Sequence, residues 1–522
     1  MPQDDTLQPE LPDFYMPFGG KLDPENRWIQ LSGIVPWDVV NSCYRIGLNQ
    51  PNPDGKGAPA LPSRVAFGAL IIKERLGCTD EETVEQITEN PYLQCFLGFT
   101  EMLKEPAFDP SMMVHFRKRF EQDNYNEINQ AIIDAATSPE EVSSEDDEER
   151  DDEERDDEER DDEERDDDSE PPTHGGKLLI DATATPADIT YPTDLKMLNS
   201  AREKLEEIID ILHRPFIGKL KKPRTYRKVA RRDYLKITKL KQISKSKRRS
   251  AIRKQLGYVK RDLNYIDELI DVHGADLSRL SNYQYQCLLF ANEIYRQQLE
   301  MWETKTNRIA DRIVSLSQPW VRPIVRGKLA AKVEFGAKIS ISVLADGYVC
   351  LDRLEWDAYN ESADLIGQAE SYQQKTGQWP ESIHADKIYL TRANRAWCRE
   401  KGIRLSGPAL GRPRKETESN RAELKAERKQ READARDRNG VEGKFGNGKR
   451  KGTLARIMAK LPETSLSVIN IGLIVLNLDK RLAELLWLLF FEEISQQLRF
   501  IERKAASRIR AILPALNFLQ TS

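Results

Sequence analysis

An α/β core built on a mixed sheet, interrupted by a helical insertion after its first strand and preceded by an all-α region, is the fold class this 522-residue sequence predicts. Three observations carry it. "KLLIDATATP" (177–186) is a short apolar run that meets an acid, as a buried strand does. "AAKVEFGAKISISVLADGYVCLDRLEWDA" (330–358) alternates like paired strands around a turn at Asp346-Gly347. Between these two, residues 195–320 return to the three- and four-residue apolar spacing of helices.

The elements follow in order. Residues 1–24 read as a flexible tail and 25–138 as a helical domain. Within it "PSRVAFGALIIKERLG" (62–77) predicts an amphipathic helix stopped by Gly77. "TDEETVEQITENPYLQCFLGF" follows, with Thr79 or Asp80 as N-cap and acids in the first turn, where the helix dipole favours them. Helix, short turn and helix permit a helix-turn-helix, although any small bundle offers the same pattern. "FDPSMMVHFRKRFEQ" (108–122) is a third helix with a basic second half. Residues 139–176 form an acidic linker. Its four copies of DDEER (146–165) have no apolar face to bury and predict disorder or a solvated single helix.

Residues 177–194 hold the first part of the core and 195–325 the helical, basic insertion, including a long helix over 282–306. The second part of the core spans 326–461. It reads as the strand pair, a helix over 360–377 ending at Gly377, and a strand over 381–390. A helix over 391–402, a strand over 403–408 and a charged helical stretch from Glu416 follow. Residues 462–522 read as C-terminal helices. Their "SLSVINIGLIVLNL" (465–478) runs into Asp479, Lys480 and Arg481, so a buried core helix is expected rather than a membrane span. With the insertion set aside, the order strand, strand, strand, helix, strand, helix, strand, helix is that of a ribonuclease H-like core.

The net charge of −6 hides a division. Residues 140–170 hold 23 acids and 4 arginines, a local −19. From Arg214 to Arg261 there are 20 Lys/Arg and one acid, a local +19. A concentrated basic surface points first to nucleic acid. The alternative, a solvated helical face, would repel itself without an anion. Tyr226, Tyr234 and Tyr258 are interleaved with the bases and could stack on unpaired bases of DNA. Lys221, Lys222, Arg224, Arg231, Arg232, Lys247, Arg248 and Arg249 are the candidate contacts. The equal and opposite charges also predict a tether in which the acidic run competes with DNA for the basic block. Six scattered cysteines form no C-x-x-C pair and five histidines do not cluster, which argues against a zinc site or disulfide framework and fits a reducing cytoplasm. The N-terminus lacks the basic segment and apolar run of a secretory signal.

Three acids occupy special places. Asp181 lies in the first strand, Asp386 at the end of the fourth, and Glu442 in a helix after the fifth. A strand-borne acid next to Leu, Leu and Ile is costly to bury unless it pairs or binds metal. Acids from different elements converging on one point could hold two magnesium ions and support phosphoryl transfer. Taken singly, each acid is bland, and a strand-end Asp is more often a turn former or helix cap; the combination is what points to a site.

Three segments resemble the DDE transposases of bacterial insertion sequences, in the insertion sequence five (IS-five) group. They are "LLIDATATPADITYPTDLKMLNSAREK", "ADKIYLTRANRAWCREKGIRLSGPALGRP" and "RNGVEGKFGNGKRKG". "PSRVAFGALIIKERLG" and "FDPSMMVHFRKRF" resemble the helical domain that precedes the core in that group, which implies that 25–138 is a DNA-binding domain. The resemblance implies that Asp181, Asp386 and Glu442 are a catalytic, metal-binding triad for two Mg2+, with Mn2+ able to substitute. It further implies cleavage at the element's ends and strand transfer into target DNA. The implied partners are double-stranded terminal inverted repeats and target DNA, met by a homodimer with no membrane involved. The group's third motif, Y-x2-R-x3-E-x6-K, is kept at Arg438, Glu442 and Lys449, with Ala435 in place of its Tyr. Gly452-Thr453 stands where a Tyr-Gly pair is usual, and Tyr389 keeps the Tyr of D-x-x-Y. Arg438, Lys449 and Lys444 are assigned to phosphate. The alternative on the same scaffold is a catalytically decayed DNA-binding protein or repressor.

Overall fold

The computed structural model describes residues 20–48, 60–137, 174–325, 333–412, 414–450 and 452–519. The acidic repeat, and with it the expected tether, lies outside these residues, as does most of the expected tail. Among the described residues the chain opens with seven helices. They are α1 (Arg27–Ile34), α2 (Trp37–Leu48), α3 (Ser63–Leu76), α4 (Asp80–Glu89), α5 (Pro91–Phe96), α6 (Met112–Lys118) and α7 (Gln122–Thr137). Gly77 ends α3 at a φ of +68°, a left-handed position that suits glycine. Thr79 and Glu82 close a reciprocal capping box on α4. The helix expected to run on from Thr79 instead breaks at Asn90, whose side chain caps α5 just before Pro91.

Helix, three-residue turn and helix are thus present at α3–α4. Yet most of α3 is buried, including the whole of Ala66–Ile72. The second helix carries Asp80, Glu81, Glu82, Glu85 and Glu89 and no base. Its exposed face carries acids and no base, which disfavours phosphate contact there.

One mixed sheet holds β1 (Lys177–Pro186), β2 (Arg322–Val325), β3 (Val333–Val343), β4 (Val349–Glu355), β5 (Ser382–His384) and β6 (Arg404–Leu405). Its centre is β1, antiparallel to β3 and parallel to β5, which continues in parallel to β6. On its other edge β3 pairs antiparallel with β2 through residues 333–336 and with β4 through 338–343. Between β1 and β2 the chain forms α8 (Asp194–His213), α9 (Arg227–Thr238), α10 (Lys245–Asp271) and α11 (Asn282–Thr304), of which α8, α10 and α11 enclose an apolar core of their own. The insertion is helical as read, but it ends in β2, a sheet strand too short, and with Pro323 inside it, to show any alternation. The strand read over 381–390 keeps only Ser382–His384, because Asp386 starts a single 3-10 turn over 387–389. The strand read over 403–408 keeps only Arg404–Leu405.

Then come α12 (Asp364–Thr376), α13 (Arg392–Glu400), α14 (Arg421–Arg450) and α15 (Pro462–Leu519). The C-terminal region is thus one helix of 58 residues rather than several. Its first third joins two cores. Ile471, Ile474, Val475 and Leu478 complete the N-terminal helical core, while Ile469 and Leu473 pack with β3 and β4. Asn477 fixes this junction by bonding Asn129 of α7 (2.8 Å) and both the N–H and C=O of Val349 on β4 (2.8 Å each).

Candidate active site

Asp181 sits in the middle of β1, opposite Ile341 of β3. Its flanking residues, Ile180 and Ala182, are buried, whereas Asp181 itself is half-buried and accepts the Ala182 N–H at 2.8 Å. Asp386 is exposed two residues beyond β5, where chain direction changes into the 3-10 turn. Glu442 is exposed on α14, which crosses β1. All three line a single open cleft of about 770 Å³, together with Lys449, Phe445 and Gly446 of α14 and Ile324 and Val325 of β2. Acids 205 and 56 residues apart are thus brought to one place.

The bases expected beside them divide. Arg438, one turn before Glu442, donates to Asp386 Oδ1 at 2.8 Å. Lys449 lines the cleft, yet its Nζ donates to Thr183 Oγ1 (3.0 Å) and the Ala184 carbonyl (2.8 Å), so it clamps α14 to β1. Lys444 is not part of the cleft lining. It faces the β3–β4 turn near Gly347 and α15, where burial, and then Lys480, push its ammonium below the usual range. Gly446 opens onto the cleft with space around its Cα, whereas Gly448 makes room for Leu454, 2.7 Å from where a Cβ would stand.

Four glycines within α14 each weaken a helix by roughly 1 kcal/mol relative to alanine. Few of its residues are buried, and side-chain ties fix it instead. Arg404 of β6 grips Asp434 through two bonds (2.8 and 3.0 Å), and Lys177 at the start of β1 pairs with Asp437 (2.8 Å). Just past the helix, Thr453 donates its N–H (2.8 Å) and its hydroxyl (2.6 Å) to Glu74 of α3. Burial pushes the Glu74 carboxyl upward, against the pull of those two bonds. A Cβ on Gly452 would lie 2.6 Å from Glu74 Oε1. The Gly452-Thr453 departure is therefore matched by an acid on a helix nearly 380 residues earlier. Ala435 is exposed on α14.

Sequence reasoning missed the cleft's far wall. Lys338 of β3 donates to the Tyr359 carbonyl (2.8 Å) and pairs with Glu361 (2.5 Å), and all three line the cleft. Nothing in "YNESAD" marked Glu361, because its partner comes from a strand more than twenty residues away. Tyr389 is buried below the cleft. Desolvation first, then the charges of Glu361 and Asp181, drive its hydroxyl pKa up.

Oxygen donors of this kind suit a hard cation such as Mg2+, which takes one or two carboxylates and fills the rest of its shell with water and phosphate. Among the described residues no three His, Cys, Asp or Glu side chains are gathered closely enough to cage an ion. The donor set fits an open site shared with a ligand, not a closed structural one.

On the insertion, Lys221, Arg231, Arg232, Lys247 and Arg248 are exposed. Lys222 pairs with Asp210 (2.6 Å), and Arg249 lies over Trp302 (4.3 Å). Of the tyrosines expected to meet nucleobases, Tyr226 is exposed with Arg224 and Arg261 over its ring at 4.7 and 4.8 Å, and Tyr258 donates to Asp233.

Comparison with known proteins adds an independent line. A curated protein of Rhizobium meliloti, described as "Uncharacterized protein ORF8 in nfe locus", is 32% identical over 115 residues. The match covers 22% of this chain and 53% of that protein, so the chain spans about half the length of the curated relative. No solved structure matches. Residues 17–119 match the family model "Transposase domain (DUF772)" and residues 383–479 match "Transposase DDE domain". Transposase domains are therefore found at the N-terminal helices and at the segment that carries both Asp386 and Glu442.

Proposed function

We propose that this chain is a DDE transposase of the insertion sequence five group, which cleaves DNA at the ends of an insertion sequence and transfers the strand into target DNA. The observation that carries the proposal is the meeting of Asp181, Asp386 and Glu442 in one cleft, within reach of Arg438. The strand order β4–β3–β1–β5–β6, with only β3 running against its neighbours, supports a ribonuclease H-like core.

Asp181, Asp386 and Glu442 would hold two divalent cations, Mg2+ or Mn2+. Such ions, when bound, lower the pKa of water and neutralise charge on a phosphodiester. The chain's own residues supply position. β1 fixes Asp181 at the cleft floor, and Lys449 clamps α14 so that Glu442 faces it. Arg438 restrains Asp386 and can turn to a phosphate oxygen when DNA enters. The exposed bases of α9 and α10 track flanking phosphates, and the N-terminal region contacts element ends by faces other than α4. Two ends processed together imply a homodimer.

The test is Mg2+-dependent nicking of a duplex bearing the element's terminal repeat, with Asp181→Asn as control. Nicking that persists in Asp181→Asn would sink the assignment. Binding of the same duplex without any nicking would favour the repressor reading.

A further inference from the structure

The cleft holds one more carboxylate than the triad uses. Glu361 stands on the wall opposite α14, ion-paired at 2.5 Å with Lys338 of β3, and both line the cleft. Their side chains are only 14% (Lys338) and 18% (Glu361) exposed. A pair so enclosed does little for stability, because desolvation of both ends offsets most of the attraction. The lining carries four acids, Asp181, Glu361, Asp386 and Glu442, against two bases, Lys338 and Lys449, a charge of −2. A phosphodiester entering it is repelled unless a base turns to meet it or cations enter with it. Lys449 is already committed, since its ammonium ties α14 to Thr183 and Ala184 of β1. Lys338 is the other base of the lining. The strand register sets it opposite Ala184, beside the residue that Lys449 clamps.

We propose that Lys338 is a further phosphate-contacting residue of this cleft, and that Glu361 is the counter-ion it exchanges for a DNA strand. The wall is built to survive the exchange. Lys338 Nζ donates to the Tyr359 carbonyl at 2.8 Å and lies 4.6 Å from the centre of that ring, and neither contact involves Glu361. Tyr359 in turn is held by other partners. Its hydroxyl donates to Ser340 Oγ (3.0 Å), which donates to Asp364 (2.6 Å). Arg353 lies over its ring (4.0 Å) and also bonds Asp364 (2.9 Å). An ammonium is a point charge on a flexible stem, so it can turn from carboxylate to phosphate while the wall stays fixed. The exchange leaves Glu361 unpaired and facing the strand. Glu361 therefore opposes DNA entry and holds affinity below what Lys338 alone would give.

This inference rests on the transposase reading for the identity of the anion, but its test does not need cleavage. The two partners give opposite signs if Glu361 is a counter-ion, and the same sign if the bridge is only a strut. Affinity of the full chain for a duplex bearing the terminal repeat is measured by fluorescence anisotropy in metal-free buffer, where only the chain's own charges act. Lys338→Gln is expected to weaken binding about tenfold, the scale of one charge-assisted hydrogen bond, and Lys338→Arg to restore it. Glu361→Gln is expected to tighten binding roughly fivefold, the scale of one like charge removed at about 4 Å in water. Binding that weakens in both Lys338→Gln and Glu361→Gln overturns the proposal, and so does binding that Lys338→Gln leaves unchanged. With Mg2+ added, Glu361→Gln is expected to nick at least as fast as the unaltered chain at limiting duplex. A loss as large as that of Asp181→Asn would make Glu361 a metal ligand and overturn its role as counter-ion. If the unaltered chain does not nick at all, the enzymatic reading falls, and the opposite signs in binding still decide this one.

Discussion

The sheet cleft and the four-helix insertion both bring carboxylates and bases together, and they do so in opposite ways. In the cleft, Asp386 and Glu442 are exposed and Asp181 is half-buried, so a ligand can reach all three. In the insertion, Asp262 of α10 is fully buried near Arg202, Glu206, Arg227 and Arg261, and neither of its oxygens has a hydrogen-bond partner. Burial first, and then Glu206, push its pKa up to about 8. Most bases of α9 and α10 face outward instead. An acid that is fixed but reachable can serve chemistry, whereas one that is sealed can only affect stability. The sealed acid lies beneath the polycationic surface, and the reachable acids lie where the chain has little excess of base.

Substitutions can break this contrast in order of size. Asp181→Asn is expected to cut metal-dependent nicking by roughly 100- to 1,000-fold, the scale for losing one preorganised charge at a reacting centre. Its melting temperature should hardly move, which differential scanning fluorimetry checks. Reversing Arg231, Arg232, Lys247, Arg248 and Arg249 together is expected to lower DNA affinity at moderate salt more than tenfold. Each lost phosphate contact should reduce the slope of log affinity against log salt by about 0.9. An unchanged slope would remove the insertion from the DNA interface.

Asp262→Asn acts on stability alone. Between the ordinary Asp value of about 4 and its own value of about 8, the folded chain holds a proton that the unfolded chain has lost. Stability therefore falls as pH rises through that window, by about 1.4 kcal/mol per unit at most. The Asn variant should flatten that slope and gain stability near pH 8 in urea titrations. A slope that persists would locate the titration elsewhere. The smallest effect is expected from Thr453→Val, which removes one bond to Glu74 and keeps the other. A loss of about 1 kcal/mol in the same titrations is the expected scale.

Much of this contrast was legible in the sequence. The alternating segment over 330–358 gave the β3–β4 hairpin. "KLLIDATATP" gave β1 to the residue, because its short apolar run marks a strand whose positions are mostly buried. Gly77 and Gly377 marked helix ends because few other residues tolerate their positive φ. The three acids could be singled out from their surroundings in the segments that carry the family resemblance, and the structure places them along one cleft. What escaped depends on partners far away in sequence. β2 exists only because β3 offers it an edge, and Lys449 binds a strand more than 260 residues upstream. The Glu74–Thr453 contact spans 379 residues, and no local pattern records it.

The double engagement of α15 has a consequence for biosynthesis. The N-terminal helical core is built from residues 28–132, but Ile471, Ile474, Val475 and Leu478 are also part of it. At about 5–20 residues per second, roughly 20 to 70 seconds of translation separate Ile132 from Ile471. During that interval the groove that receives α15 is bare and open to chaperones or to a neighbouring chain. The last step of maturation is then the docking of one helix, which seals the helical region and the sheet at once.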